Sequence, residues 1–481
     1  MRKTYTYSIM ILLAGLFAAC SKDFLDLKPD QSAETGKAIR DLPGLRSATN
    51  GVYSLMQGPN YYGRTMPLLP DLRSDNSFIS VINSNRYRNQ DQYIVTANDV
   101  YTTDSWNTLY SVVANANMVI ARGPNVTLLP SAADSVEAKQ LVAEAYAIRG
   151  LAFFDLSRMY AQPYNFTPDA SHMGVPIVTI TNIDSVQSPS RSSMKDTYAQ
   201  IINDLRTAIR KFEESGTTAF SSGRINVYSA KALLSRVLLY REDWAGAAGL
   251  ATDVINSGKY SLLDRDKLVS NFKMTGNGET IFEIINTPVD NSGTDGLGYL
   301  FNQDGYGDVL ATNNIYNIYA AGDVRRNFLK KSKRAGNGGE NPANVITKYS
   351  DVASFSEAIK VIRLAELYLI RAEAQTHLGK APEAQADLNV VAQRADRDAL
   401  PVTVTGQELL NAVQLERRKE LAFEGHRLFD LIRTKQSFVK YLASDKTIPV
   451  AWPSTKVILP IPQRELDANP NIRNQQNEGY K

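Results

Sequence analysis

One helical signature recurs three times in this chain, at wide intervals. Ala143-Glu144-Ala145-Tyr146-Ala147-Ile148-Arg149, Ala230-Lys231-Ala232-Leu233-Leu234-Ser235-Arg236 and Ala365-Glu366-Leu367-Tyr368-Leu369-Ile370-Arg371 each open on Ala and carry Arg six positions later. The second and third run into a tight turn, Arg241-Glu242-Asp243-Trp244 and Leu378-Gly379-Lys380-Ala381-Pro382, and then into another helical run. Pro382 suits a first helical turn, where its missing N–H costs nothing. Helix, short turn and helix with small residues at the crossing is the tetratricopeptide unit. The three copies are not in tandem, and loop-rich tracts fill the gaps. The expected fold is therefore mainly α: tetratricopeptide-type helix pairs carrying a loop-built face, with little β.

Periodicity places further helices over Lys37 to Met56, Ala133 to Tyr160, Met194 to Phe212, Asn226 to Tyr240, Trp244 to Ser257, Ser356 to Leu378, Pro382 to Ala395 and Gly406 to Thr434. Another opens at Asp104, as its cap, with the stripe Trp106, Leu109, Tyr110, Val113 and Ile120, which puts Trp106 in the core. Strand signals are few; Val175 to Ile180 and Thr280 to Ile285 are the best. Long irregular tracts run from Gly58 to Val100 and from Asn286 to Asn313, and Ala335 to Ala343 reads as a loop.

Composition removes most chemistries. The 53 Lys+Arg against 50 Asp+Glu are nearly balanced and unclustered, so no nucleic-acid partner is expected. One cysteine and three scattered histidines leave no internal disulfide, no metal spacing and no expected cofactor. Asp71 with Asp75, or Asp304 with Asp308, could be imagined as hydrolytic carboxylate pairs, but 50 acids make such coincidences ordinary. In the acidic and basic run Glu416 to Arg433, the pairs Glu424/Arg427, Arg427/Asp430 and Asp430/Arg433 fall at i,i+3 and read as a surface or interface ladder on one helix. Gly425 inside that helix costs about 1 kcal/mol relative to Ala, which points to close backbone packing.

The start of the chain reads as an export signal. Met1-Arg2-Lys3 is basic, and Ile9 to Ala19 is apolar but too short to span a bilayer. The lone cysteine follows at once in Leu16-Phe17-Ala18-Ala19-Cys20-Ser21, which resembles a bacterial lipobox with Phe17 where Leu is usual. Cys20 is the expected lipid anchor, and acylation removes a thiol that would otherwise be reactive.

Four separated segments then carry a family. Glu416-Arg417-Arg418-Lys419-Glu420-Leu421-Ala422-Phe423-Glu424-Gly425-His426-Arg427-Leu428-Phe429-Asp430-Leu431 resembles the signature helix of the SusD/RagB surface lipoproteins. Leu459-Pro460-Ile461-Pro462-Gln463-Arg464-Glu465-Leu466-Asp467-Ala468-Asn469-Pro470-Asn471 resembles that family's terminal segment, and Asp23-Phe24-Leu25-Asp26 and the helix Arg363 to Ala374 also fit. The chain departs from the family in having Asp323-Val324-Arg325-Arg326 for Asp-Pro-Arg, and Gln476-Asn477-Glu478-Gly479-Tyr480 for Gln-Asn-Pro-Gly-Tyr.

The resemblance implies a leader over residues 1–19 and two regions, 20–230 and 231–481, in one compact unit. It implies a non-catalytic nutrient-binding lipoprotein on the outer membrane, facing the exterior. The implied partners are a SusC-like TonB-dependent transporter and an oligosaccharide ligand, or a peptide in the RagB manner. A surface hydrolase and a pure protein-interaction scaffold are the competing readings. For a sugar ligand, C–H faces need aromatic planes and hydroxyls need amide, carboxylate or guanidinium partners. The two loop tracts supply both. The expected stacking residues are Tyr299 and Tyr306 with Phe301, Tyr87 and Tyr93, and the expected polar partners are Asp71, Asp75, Asn76 and Arg86.

Overall fold

Every arginine of the repeat clasps a carboxylate on a helix packed against its own. In the computed structural model, which describes residues 39–126, 129–180, 187–217 and 220–481, Arg149 holds Asp204 through Nε at 2.8 Å and Nη2 at 2.5 Å. Arg236 holds Glu366 at 2.8 and 2.6 Å, and Arg371 holds Asp387 at 2.7 Å through both nitrogens. The two-pronged geometry fixes orientation as well as distance, a task lysine performs poorly.

The helices so joined are α1 (Leu42–Gln57), α2 (Thr65–Leu72), α3 (Val100–Arg122), α4 (Ala132–Tyr160), α5 (Met194–Ser215), α6 (Val227–Tyr240), α7 (Trp244–Ile255), α8 (Leu364–His377), α9 (Ala381–Ala395), α10 (Gly406–Glu420) and α11 (Arg427–Arg433). Helix α4 packs between α3 and α5, α6 pairs with α7, α7 lies against α8, and α8 carries α9 and α10. Repeat units far apart in sequence are thus neighbours in space. The fold is mainly α, as expected.

Short strands bind the loops to this frame. An antiparallel sheet has the order β1 (Ser77–Ile79), β3 (Val309–Ala311), β5 (Ala343–Ile346), β4 (Leu329–Ser332). β2 (Thr280–Ile284) pairs with β6 (Ile359–Arg363), and β7 (Phe438–Tyr441) with β8 (Thr447–Val450). One apolar core runs from Ile39 to Ile472, so it crosses the boundary at 230; Trp106 sits in it, 1% exposed. A second, small cluster of Leu369, Leu388, Val391, Leu409 and Val413 locks α8, α9 and α10 together.

Several boundaries differ from expectation, each for a local reason. Asp99, not Asp104, caps α3, accepting from the Thr102 amide at 2.9 Å. Helix α1 starts at Leu42 because Asp41 caps it and Pro43 sits in its first turn. Residues 359–363 form β6 rather than a helical turn, because β2 pairs with them. Residues 175–180 form no strand. Side chains of α3 satisfy that segment instead, Tyr110 donating to the Pro176 carbonyl at 2.8 Å and Asn117 to that of Val178 at 2.9 Å.

The helix expected over 406–434 is broken between α10 and α11. Gly425 has φ +82°, and a Cβ there would lie 2.5 Å from the Met66 carbonyl oxygen. Its charges form no surface ladder. Glu424 binds Lys348 and Arg363, Arg427 binds Asp75, and of the three expected pairs only Asp430 with Arg433 is kept. Arg363 is the hub, reaching Glu279 and Glu420 at 2.6 Å and Glu424 at 2.8 Å, all in the interior. The helix break around Gly425 is what lets a helical sequence ladder become a buried network.

The leader, Cys20 and Asp23-Phe24-Leu25-Asp26 lie outside the described residues. Among those described, no helix is long and apolar enough to cross a membrane, and no group of His, Cys, Asp and Glu could hold a metal ion.

Candidate ligand-binding surface

The two loop tracts meet. β1 pairs with β3 in register Ser77 to Ala311, and the Ser84 amide donates to Asp308 at 3.0 Å. Buried Arg334 ties both tracts at once, donating to the Ile82 carbonyl at 3.2 Å and the Tyr306 carbonyl at 2.6 Å. The turn from Tyr299 to Tyr306 closes by a 2.8 Å backbone bond, and Gly305 is required there, because a Cβ would lie 2.5 Å from the Tyr299 carbonyl.

The junction carries a line of half-exposed aromatic and cationic groups. Tyr299 and Tyr306 meet edge to face at 4.8 Å, and Phe355 lies 6.0 Å beyond Tyr299. The Arg86 guanidinium sits 3.9 Å from the Tyr306 centroid and donates to its hydroxyl at 3.0 Å. Exposed Asp295 faces both Arg64, at 3.2 Å, and Arg86, at 3.8 Å. Half-buried Tyr101 stacks on Tyr87 at 4.0 Å with 20° between the planes. A small cleft of about 30 Å³ opens between Tyr299, Phe355, Glu357 and Gly298.

The backbone here is strained. Asn85, Tyr87, Tyr93 and Phe355 all have φ between 54° and 65°, a region bulky residues avoid. Such outliers persist where surrounding structure over-determines them, often at binding sites. Flanked by two of them, Arg86 is turned outward while Tyr87 is driven inward.

Six of the nine expected contact residues are engaged within the frame. Tyr87 is wholly buried, its hydroxyl accepting from Arg64 Nε at 2.9 Å and bonding Thr65 at 2.6 Å. Phe301 is buried against Phe423. Tyr93 is half-buried and donates to the Arg73 carbonyl. Asp71 accepts from Asn76 at 2.7 Å and from the Phe423 and Gly425 amides at 2.9 Å, which anchors the broken signature helix to α2. Burial pushes its carboxyl up to about 6, although those three bonds oppose the rise. Asp75 takes both prongs of Arg427 at 2.7 and 2.9 Å, and the Asn76 oxygen takes Arg418 at 2.9 Å. Burial alone would raise Asp75; the arginines Arg427 and Arg418 hold it below the usual carboxylate range.

Tyr299, Tyr306 and Arg86 remain at the surface. Tyr101, Phe355 and Asp295 join them unforeseen, with buried Arg64 beneath Asp295. Phe355 was findable, as a lone aromatic in the polar stretch Asp351 to Glu357. Tyr101 was not, since it falls between the loop tract ending at Val100 and the helix start expected at Asp104.

Comparison with known proteins follows the same outline. The chain matches the SusD family model over residues 341–480, and a second SusD-like model, described as starch-binding and associating with the outer membrane, over residues 23–239. It is 25% identical to a SusD-like protein of Formosa agariphila, over 99% of this chain and 100% of that one. A SusD superfamily structure from Bacteroides vulgatus superposes with TM-score 0.82 at 29% identity, covering 92% of this chain and 100% of that one. Another, from Bacteroides thetaiotaomicron, gives 0.81 at 28%, covering 91% and 99%. Two family models on separate halves, relatives matched end to end and one shared fold agree: the chain belongs to the SusD family.

Proposed function

We propose that this chain is a non-catalytic, lipid-anchored glycan-binding protein of the outer-membrane surface that hands oligosaccharide to a SusC-like TonB-dependent transporter. The observation that carries the reading is the line Tyr299, Tyr306 and Arg86. It offers ring faces for sugar C–H groups and a guanidinium and hydroxyls for sugar oxygens. The match to a model described as starch-binding and associating with the outer membrane supports the same ligand class and place. Asp71 and Asp75, one of the two carboxylate pairs considered for hydrolysis, are engaged in internal hydrogen bonds, which supports binding over catalysis.

Titration with oligosaccharides cut from the glycans on which the source organism grows tests the binding. Saturable binding without turnover supports the reading, and hydrolysis of the titrant overturns it. Co-purification with a TonB-dependent barrel in mild detergent tests the partner; isolation only as a free monomer counts against it. Cys20→Ala should release the protein from membranes or leave it unprocessed, and an unchanged membrane fraction and mass sink the anchor.

A further inference from the structure

A second site lies in the helical frame, in an open groove of about 640 Å³ that shares no residue with the aromatic surface. It forms where the α6–α7 turn, the end of α8, one face of α10 and the end of α11 converge. Two facts set it apart from an ordinary furrow between helices. Tyr240, only 5% exposed, lines it, and its hydroxyl has no hydrogen-bond partner among the described residues. The buried Asn165 oxygen, also in the lining, has none either. Buried polar atoms are ordinarily satisfied, so two orphans in one groove call for an external partner.

The remaining walls say what chemistry fits. α10 presents Gln407, Asn411 and Gln414 to the groove at i, i+4 and i+7, a row about 10 Å long. Side-chain amides both donate and accept, which matches hydroxyl groups. Trp244 and His377 stack at 3.9 Å with 10° between their planes and form a flat wall. The cations of the lining are already neutralised: Arg433 by Glu373 at 2.8 Å, Arg427 by Asp75 at 2.7 Å, Arg418 by Asp75 at 3.2 Å. Glu242 accepts from Asn165 at 2.6 Å, and Lys435 stands at the exposed rim. No unpaired buried charge demands an ionic ligand. We infer that this groove binds a neutral, hydroxyl-rich oligosaccharide, as a site separate from the aromatic surface.

The test uses the whole mature protein and four probes: maltohexaose, mannohexaose, xylohexaose and laminarihexaose. At least one should bind, and binding should survive Tyr306→Ala. Tyr240→Phe deletes a hydroxyl that makes no internal bond, so its melting temperature should match the parent while groove binding falls about 3- to 10-fold. Asn411→Ala with Gln414→Ala should weaken it further. The proposal is overturned if none of the four binds, if Tyr306→Ala abolishes all binding, or if the groove variants bind like the parent. Tighter binding of hexagalacturonate than of every neutral probe also overturns it, as does groove binding of a casein digest with no saccharide bound.

Discussion

The Arg86 guanidinium covers the Tyr306 ring at 3.9 Å and hydrogen-bonds the same tyrosine's hydroxyl at 3.0 Å, so one side chain of each loop tract holds the other in place. Each side chain thus takes part of its placement from the other tract. Tyr306→Ala should therefore cost oligosaccharide affinity directly and also free Arg86, with a loss on the order of 1–3 kcal/mol by calorimetry. Tyr299→Ala should lose a similar amount. Parent-like binding by both variants, with unchanged melting temperatures, would remove these rings from the site.

Asp71 should behave as a structural residue. Its replacement by Ala strands the Asn76 amide and the Phe423 and Gly425 N–H groups in the interior. A stability loss of at least about 3 kcal/mol is expected in denaturant titration. The folded fraction should bind oligosaccharide as the parent does. A stable Asp71→Ala protein with abolished binding would return Asp71 to the ligand site.

Gly425→Ala tests the break between α10 and α11. Both its φ of +82° and the Met66 carbonyl 2.5 Å from the new Cβ oppose any side chain. The expected destabilisation is about 1–3 kcal/mol or more. Wild-type stability would mean that the two helices can join.

Glu144 gives a pH dependence. Burial pushes its carboxyl from 4.5 up to about 7, against the opposing pulls of Arg224, Tyr53 and Gln140. The folded state thus holds this proton more tightly than the unfolded chain. Its contribution is complete below pH 4.5 and is lost as pH rises through about 7, a change of about 3 kcal/mol. Asp71, raised to about 6, drifts in the same direction, so the variant must be compared with the parent. Between pH 5 and pH 8 the parent should lose stability relative to Glu144→Gln. Parallel stability curves would show that Glu144 ionises normally.

Sequence by itself determined most of the long helices, because helical burial recurs every three or four residues and each turn reports on its neighbours, but it missed α2, which lies in the tract read as irregular. The Ala-to-Arg signature marked three helices correctly, and the stripe carrying Trp106 marked a core residue. It could not say which carboxylate each Arg would clasp, since Asp204, Glu366 and Asp387 lie 55, 130 and 16 residues away. Only the tertiary structure decided the surface. Tyr87 and Tyr306 stand in equally polar loops, yet one is buried and the other half-exposed. The difference lies in what folding brought to each. Arg64 and Thr65 satisfy the Tyr87 hydroxyl in the interior, so burying it costs little. Tyr306 meets its arginine at the rim, and water or a ligand completes its surroundings.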